Sequence, residues 1–126
     1  MSLRLNAIAI MVADMERAIA FYAHLGLEFK GDGQHYECEL AGGLRVMLDG
    51  HESVKALIPG WEPPAGSARV AFAFQAPSPS EVDSSFERLI AAGAAVLKEP
   101  YDAFWGQRYA SVHDPDGNII DLYAPQ

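Results

Sequence analysis

The chain is poorest in cysteine, with Cys38 as its only one. An internal disulfide and a Cys-rich zinc site are both excluded. It also lacks any apolar run of about 18 residues, so no membrane-spanning helix is expected. Its opening residues, Met1-Ser2-Leu3-Arg4-Leu5, lack the apolar core of a secretory signal. These absences point to the cytoplasm. Positive charge is scarce too. Nine Lys and Arg stand against 17 Asp and Glu, a net charge of −8. That field repels phosphate backbones, so nucleic acid is not an expected partner. It keeps the chain soluble and suits a cationic ligand.

Half of the 126 residues are apolar, enough for one domain with its own core. Leu5 to Val12 is an apolar run of strand length. Asp14 is placed as an N-cap, with Glu16 in the first helical turn. Ala18, Ile19, Tyr22 and Leu25 follow at helical spacing, and Gly26 ends the helix. Three strands are expected next, Leu27–Lys30, His35–Leu40 and Leu44–Asp49. Residues 50–66 hold Pro59, Gly60, Pro63, Pro64 and Gly66, and read as an irregular linker. Trp61 within it is expected to cover the site or meet a partner surface.

The second half repeats this order. Ala68–Gln75 reads as a strand. Ser78-Pro79-Ser80-Glu81 opens a helix with a capping box and Pro at its first position. Val82, Phe86, Leu89 and Ile90 form its apolar stripe, and Gly93 closes it. Strands at about Ala94–Glu99, Gly106–Val112 and Asn118–Tyr123 complete the half. The expected fold is α+β: two tandem βαβββ modules forming a concave, incompletely closed sheet. Module 1 covers about residues 4–49 and module 2 about 67–124, within a single domain over 1–126. Aligning Ala7-Ile8-Ala9-Ile10 with Arg69-Val70-Ala71-Phe72 relates the halves.

Strand alternation divides the side chains. Ile8, Ile10 and Val12 are expected under the first helix, and Val70, Phe72 and Phe74 under the second. Ala7, Ala9, Met11, Arg45, Met47, Arg69, Asp121 and Tyr123 are then left for the concave face.

At this point the chain resembles the vicinal oxygen chelate superfamily, which includes glyoxalase I, bleomycin-resistance proteins and extradiol dioxygenases. Ala7-Ile8-Ala9-Ile10-Met11-Val12-Ala13-Asp14, Phe21-Tyr22, Leu25-Gly26, Trp105-Gly106-Gln107-Arg108 and Asp114-Pro115-Asp116-Gly117-Asn118 carry the likeness. It implies paired βαβββ modules, a homodimer and a small-molecule site. Family enzymes hold a divalent metal with one His, Glu or Gln from each of four strands. Those positions fall here on Ala7, Met47, Arg69 and Asp121. Only Asp121 suits a hard cation. No metal and no cofactor are therefore expected. Arg69 and Asp121 are instead expected to pair, or Arg69 to hold a ligand carboxylate or phosphate.

Other residues offer chemistry of their own. Trp105 is a candidate aromatic wall for a planar ligand or a cation. Arg108 is a candidate to support that loop or pair with a carboxylate. Glu37 and Glu39 share a strand face and could supply a base. His51 lies beside the linker, His24 suits a helix C-terminus, and His113 precedes the turn at Asp114–Asn118, which needs no calcium to explain it. Cys38 reads as a small core residue. The ligand-binding candidates are thus Met47, Arg69, Trp105, Arg108 and Asp121. The expected function is metal-free binding of a small molecule in a dimer cup. The alternative is a lyase, isomerase or dioxygenase of the glyoxalase type.

Overall fold

The computed structural model describes residues 2–126. The chain forms two compact units, Met1–Ala65 and Gly66–Gln126. Each holds a four-stranded mixed sheet and at least one helix, and neither sheet closes on itself.

In the first unit β1 (Ala7–Val12) leads into α1 (Met15–Ala23), then β2 (Lys30–Asp32), β3 (His35–Glu39) and β4 (Arg45–Gly50). A 3-10 turn, Ala41–Gly43, joins the last two strands. The strand order is β1-β4-β3-β2. β1 runs parallel to β4, and the other pairs are antiparallel. Asp14 caps α1 by accepting from the Arg17 N–H at 3.1 Å. Ala18, Phe21 and Tyr22 are buried, as are Ile10, Val12 and Leu48 of the sheet.

In the second unit β5 (Ala71–Gln75) leads into α3 (Pro79–Ala91), then β6 (Ala95–Ala103), β7 (Gln107–His113) and β8 (Ile119–Pro125). The order is β5-β8-β7-β6, with β5 parallel to β8. Val82, Phe86 and Leu89 of α3 are buried, as are Ala110, Val112, Ile120 and Leu122 of the sheet. Pro79 opens α3, but Ser78 forms no side-chain cap to the backbone. Its hydroxyl meets Ser80 Oγ at 3.1 Å, so the expected capping box is not made.

Both long helices close in the same way. Leu27 N–H donates to Tyr22 O and Gly26 N–H to Ala23 O, while Ala94 N–H donates to Leu89 O and Gly93 N–H to Ile90 O. This paired closure needs a left-handed residue, supplied by Gly26 (φ 84°) and Gly93 (φ 101°). It also explains why β2 starts at Lys30 rather than Leu27: Leu27 is still tied to the helix.

The segment read as irregular opens with a helix, α2 (His51–Leu57). The residues that break helices begin only at Pro59, and Ile58 before it is extended (φ −121°, ψ 97°). β6 runs on to Ala103 through Pro100 because it is an edge strand, where a missing N–H is tolerated.

Candidate functional site

Each sheet turns one face away from its main helix, and the two faces differ in chemistry. In the first unit His35 and Glu37 of β3 alternate with buried Cys38, and Arg45, Met47 and Asp49 of β4 alternate with buried Leu48. Met47 stands in register between Ala9 and Glu37. A chain of ion pairs crosses this face. Asp49 Oδ1 lies 2.6 Å from His35 Nδ1, Glu37 Oε2 lies 2.6 Å from His35 Nε2, and Arg45 donates to Glu37 Oε1 at 2.9 Å. The Glu37 contact, and then the Asp49 contact, raise the His35 pKa above its ordinary 6.5. The His35 and then the Arg45 contacts hold Glu37 below the usual carboxylate range.

A pocket of about 730 Å³ opens here, lined by Glu28, Lys30, His35, Glu37, Glu39 and Arg45 among others. The pairs at its core already neutralise one another. Glu37 and Asp49 bind opposite nitrogens of one ring, so these three groups do not converge on a single ion. Among the described residues no group of three or more His, Cys, Asp or Glu is placed to hold a metal. His51 packs edge-on against Trp61, with centroids 5.2 Å apart.

The second unit carries an aromatic row instead. Tyr101, Tyr109 and Tyr123 face one another across β6, β7 and β8 in register. Tyr109 lies 6.2 Å from each neighbour, stacked on Tyr123 and tilted to Tyr101. Trp105 meets Tyr109 edge-on at 5.5 Å, and its indole N–H donates to Gln107 Oε1 at 2.8 Å. Trp105 is half exposed. Beside the row, Asp121 accepts from Ser111 Oγ at 2.6 Å and from Tyr109 OH at 3.0 Å. Burial, and then the Asp121 contact, push the Tyr109 phenol up to about 12.

The sequence candidates therefore separate. Trp105 and Asp121 share this face with Tyr109. Arg108 does not, because alternation turns it towards α3. There it grips both oxygens of Asp83 at 2.9 Å and reaches Asp102 at 3.1 Å. That grip holds Asp83 below the usual carboxylate range and clamps the helix to its sheet.

Arg69 does not make the expected pair with Asp121. It is exposed and lies ahead of β5, whose first residue is Ala71. Val70 is likewise 62% exposed rather than packed under α3. The helix caps show why. Ala7 stands seven residues before Asp14, and Ala71, not Arg69, stands seven before Ser78. The apolar runs and the helix caps of the two halves are offset by two residues, which preserves the face but leaves Arg69 off the strand end. With Ala71 in that place, the metal positions implied by the resemblance keep one hard donor, Asp121. The residues do not fit a metal.

Asp114 is a buried pin for the β7–β8 turn. Its carboxylate accepts from the Asp116 and Asn118 N–H groups and from Asn118 Nδ2 at 2.8–2.9 Å. Tyr101, Tyr109 and Ser111 were not singled out from sequence. Alternation along Gln107–His113 was the available signal, since it sets Tyr109 and Ser111 opposite Arg108.

Residues 4–122 match the family model of the Glyoxalase/Bleomycin resistance protein/Dioxygenase superfamily. The chain belongs to this superfamily. It is 29% identical over 119 residues to an uncharacterised protein of Mycolicibacterium smegmatis, covering 94% of this chain and 90% of that one. Solved structures share its fold. A glyoxalase/bleomycin resistance protein/dioxygenase family enzyme from Burkholderia phytofirmans PsJN aligns with a TM-score of 0.86 at 20% identity, covering 98% of this chain and all of that one. A lactoylglutathione lyase from Agrobacterium tumefaciens aligns at 0.68 and 24% identity, covering 96% and 92%.

Proposed function

We propose that this superfamily member binds a small planar molecule without a metal, using the aromatic face of its second unit. The row formed by Tyr101, Trp105, Tyr109 and Tyr123 carries this reading. Four rings share a sheet face beside the exposed Ala71 and Ala73. Aromatic residues pack readily into cores, so rings left partly exposed suit a ligand that completes their stacking. The lack of metal donors favours binding over the metal-dependent lyase, isomerase or dioxygenase chemistries of the superfamily. A homodimer in the cytoplasm belongs to the same proposal, supported by the family resemblance and by the lone thiol at Cys38.

Quinoline is a suitable neutral probe, followed by NMR titration of the intact protein. Trp105→Ala is expected to weaken its binding about three- to tenfold, the worth of one aromatic contact. Arg108→Ala is expected to leave the affinity unchanged, because that side chain is on the opposite side of the sheet. The reverse outcome would sink the assignment.

A further inference from the structure

The aromatic face of the second unit also carries a carboxylate whose charge is not cancelled. Asp121 is held by two neutral donors, Ser111 Oγ and Tyr109 OH. Among the described residues no Lys, Arg or His forms an ion pair with it. Asp83 and Asp102 of the same unit both share Arg108. Hydroxyl donors fix the position of a carboxylate without removing its charge, and Asp121 remains partly exposed.

Small, exposed side chains flank Asp121 on one side. Ala73 lies directly across from it on β5 and is exposed, as is Ala71. On the other side the rings begin at Tyr123 and Tyr109. At the far end of the row the Lys98 ammonium sits 4.7 Å from the centroid of Tyr101. One ring of this row therefore already faces a cation.

We propose that this face selects a planar ligand bearing a positive charge, its ring stacked on the tyrosine row and its cationic edge turned to Asp121. This rests on the small-molecule reading above and adds the charge of the ligand to it. A cation gains from the ring faces and from the carboxylate together. A neutral ring gains stacking alone. An anion is opposed by Asp121 and by the net charge of −8.

Three probes built on one ring separate these terms: N-methylquinolinium, quinoline and quinoline-6-carboxylate. Their affinities for the intact protein are measured by NMR titration near neutral pH and at low salt. The cation is expected to bind about tenfold tighter than quinoline, with the carboxylate weakest. Added salt is expected to narrow that ratio in the unmodified protein, a readout that does not depend on any variant folding. Asp121→Asn is expected to bring the ratio close to one. Equal binding of cation and neutral ring overturns the charge selection and leaves the small-molecule reading standing. A ratio that survives Asp121→Asn overturns the role of Asp121. Failure of all three probes to bind overturns both readings.

Discussion

His35 shows how far one side chain can couple a sheet face to pH. Only the imidazolium has N–H groups for both Asp49 and Glu37; the neutral ring has one. Its pKa is raised in the folded state, so its contribution is complete below the ordinary value of 6.5 and is lost as pH rises through the raised one. The three side chains are partly exposed, so solvent screening keeps the effect small. Urea unfolding of the natural chain and His35→Gln should therefore show a stability gap that is full below about pH 6.5 and shrinks as pH rises above it. A gap that stays constant with pH would rule the mechanism out. This cluster was not legible in the sequence. Glu37 and Glu39 could be placed on one face by alternation, but the pairing of His35 with Asp49 depends on where the Ala41–Gly43 turn sets the register. Met47 and Asp121 alternate with buried Leu48 and with buried Ile120 and Leu122, a placement that needs only alternation within a strand. Arg69 falls outside its strand because β5 begins at Ala71, three residues after the Ala68 expected from the apolar run.

The same contrast holds for the elements. α1 and α3 were legible because each announces both ends chemically, with a cap at Asp14 or Pro79 at the start and a glycine at the stop. α2 was not, because nearby prolines made the whole of residues 50–66 look irregular. The stripe of α3 also predicts where the second unit is most easily broken. Val82, Phe86 and Leu89 are all at least nine-tenths buried. Phe86→Ala should cost about 3–5 kcal/mol, the sum of lost burial and a cavity. Chemical denaturation should show this as a lower midpoint with an unchanged slope. A loss below about 1 kcal/mol, the range of exposed substitutions, would mean that the stripe is not the core contact described here.

For the whole molecule, the tandem repeat was visible in sequence, but shared fold leaves function to the particular residues at the site. The superfamily resemblance implies metal ligands on four strands, and this chain places Ala7, Met47, Ala71 and Asp121 on those strands. One carboxylate does not satisfy a divalent ion that needs several N or O donors. Any ligand that binds only the folded state must raise the unfolding midpoint. EDTA should therefore leave the thermal midpoint unchanged, as should Ni²⁺, Zn²⁺ or Mn²⁺ added in excess. A saturable rise at one ion per chain, reversed by EDTA, would show a donor set beyond Asp121. It would return the glyoxalase-type chemistries to first place, because a bound Lewis acid supplies what the side chains on these two sheet faces do not.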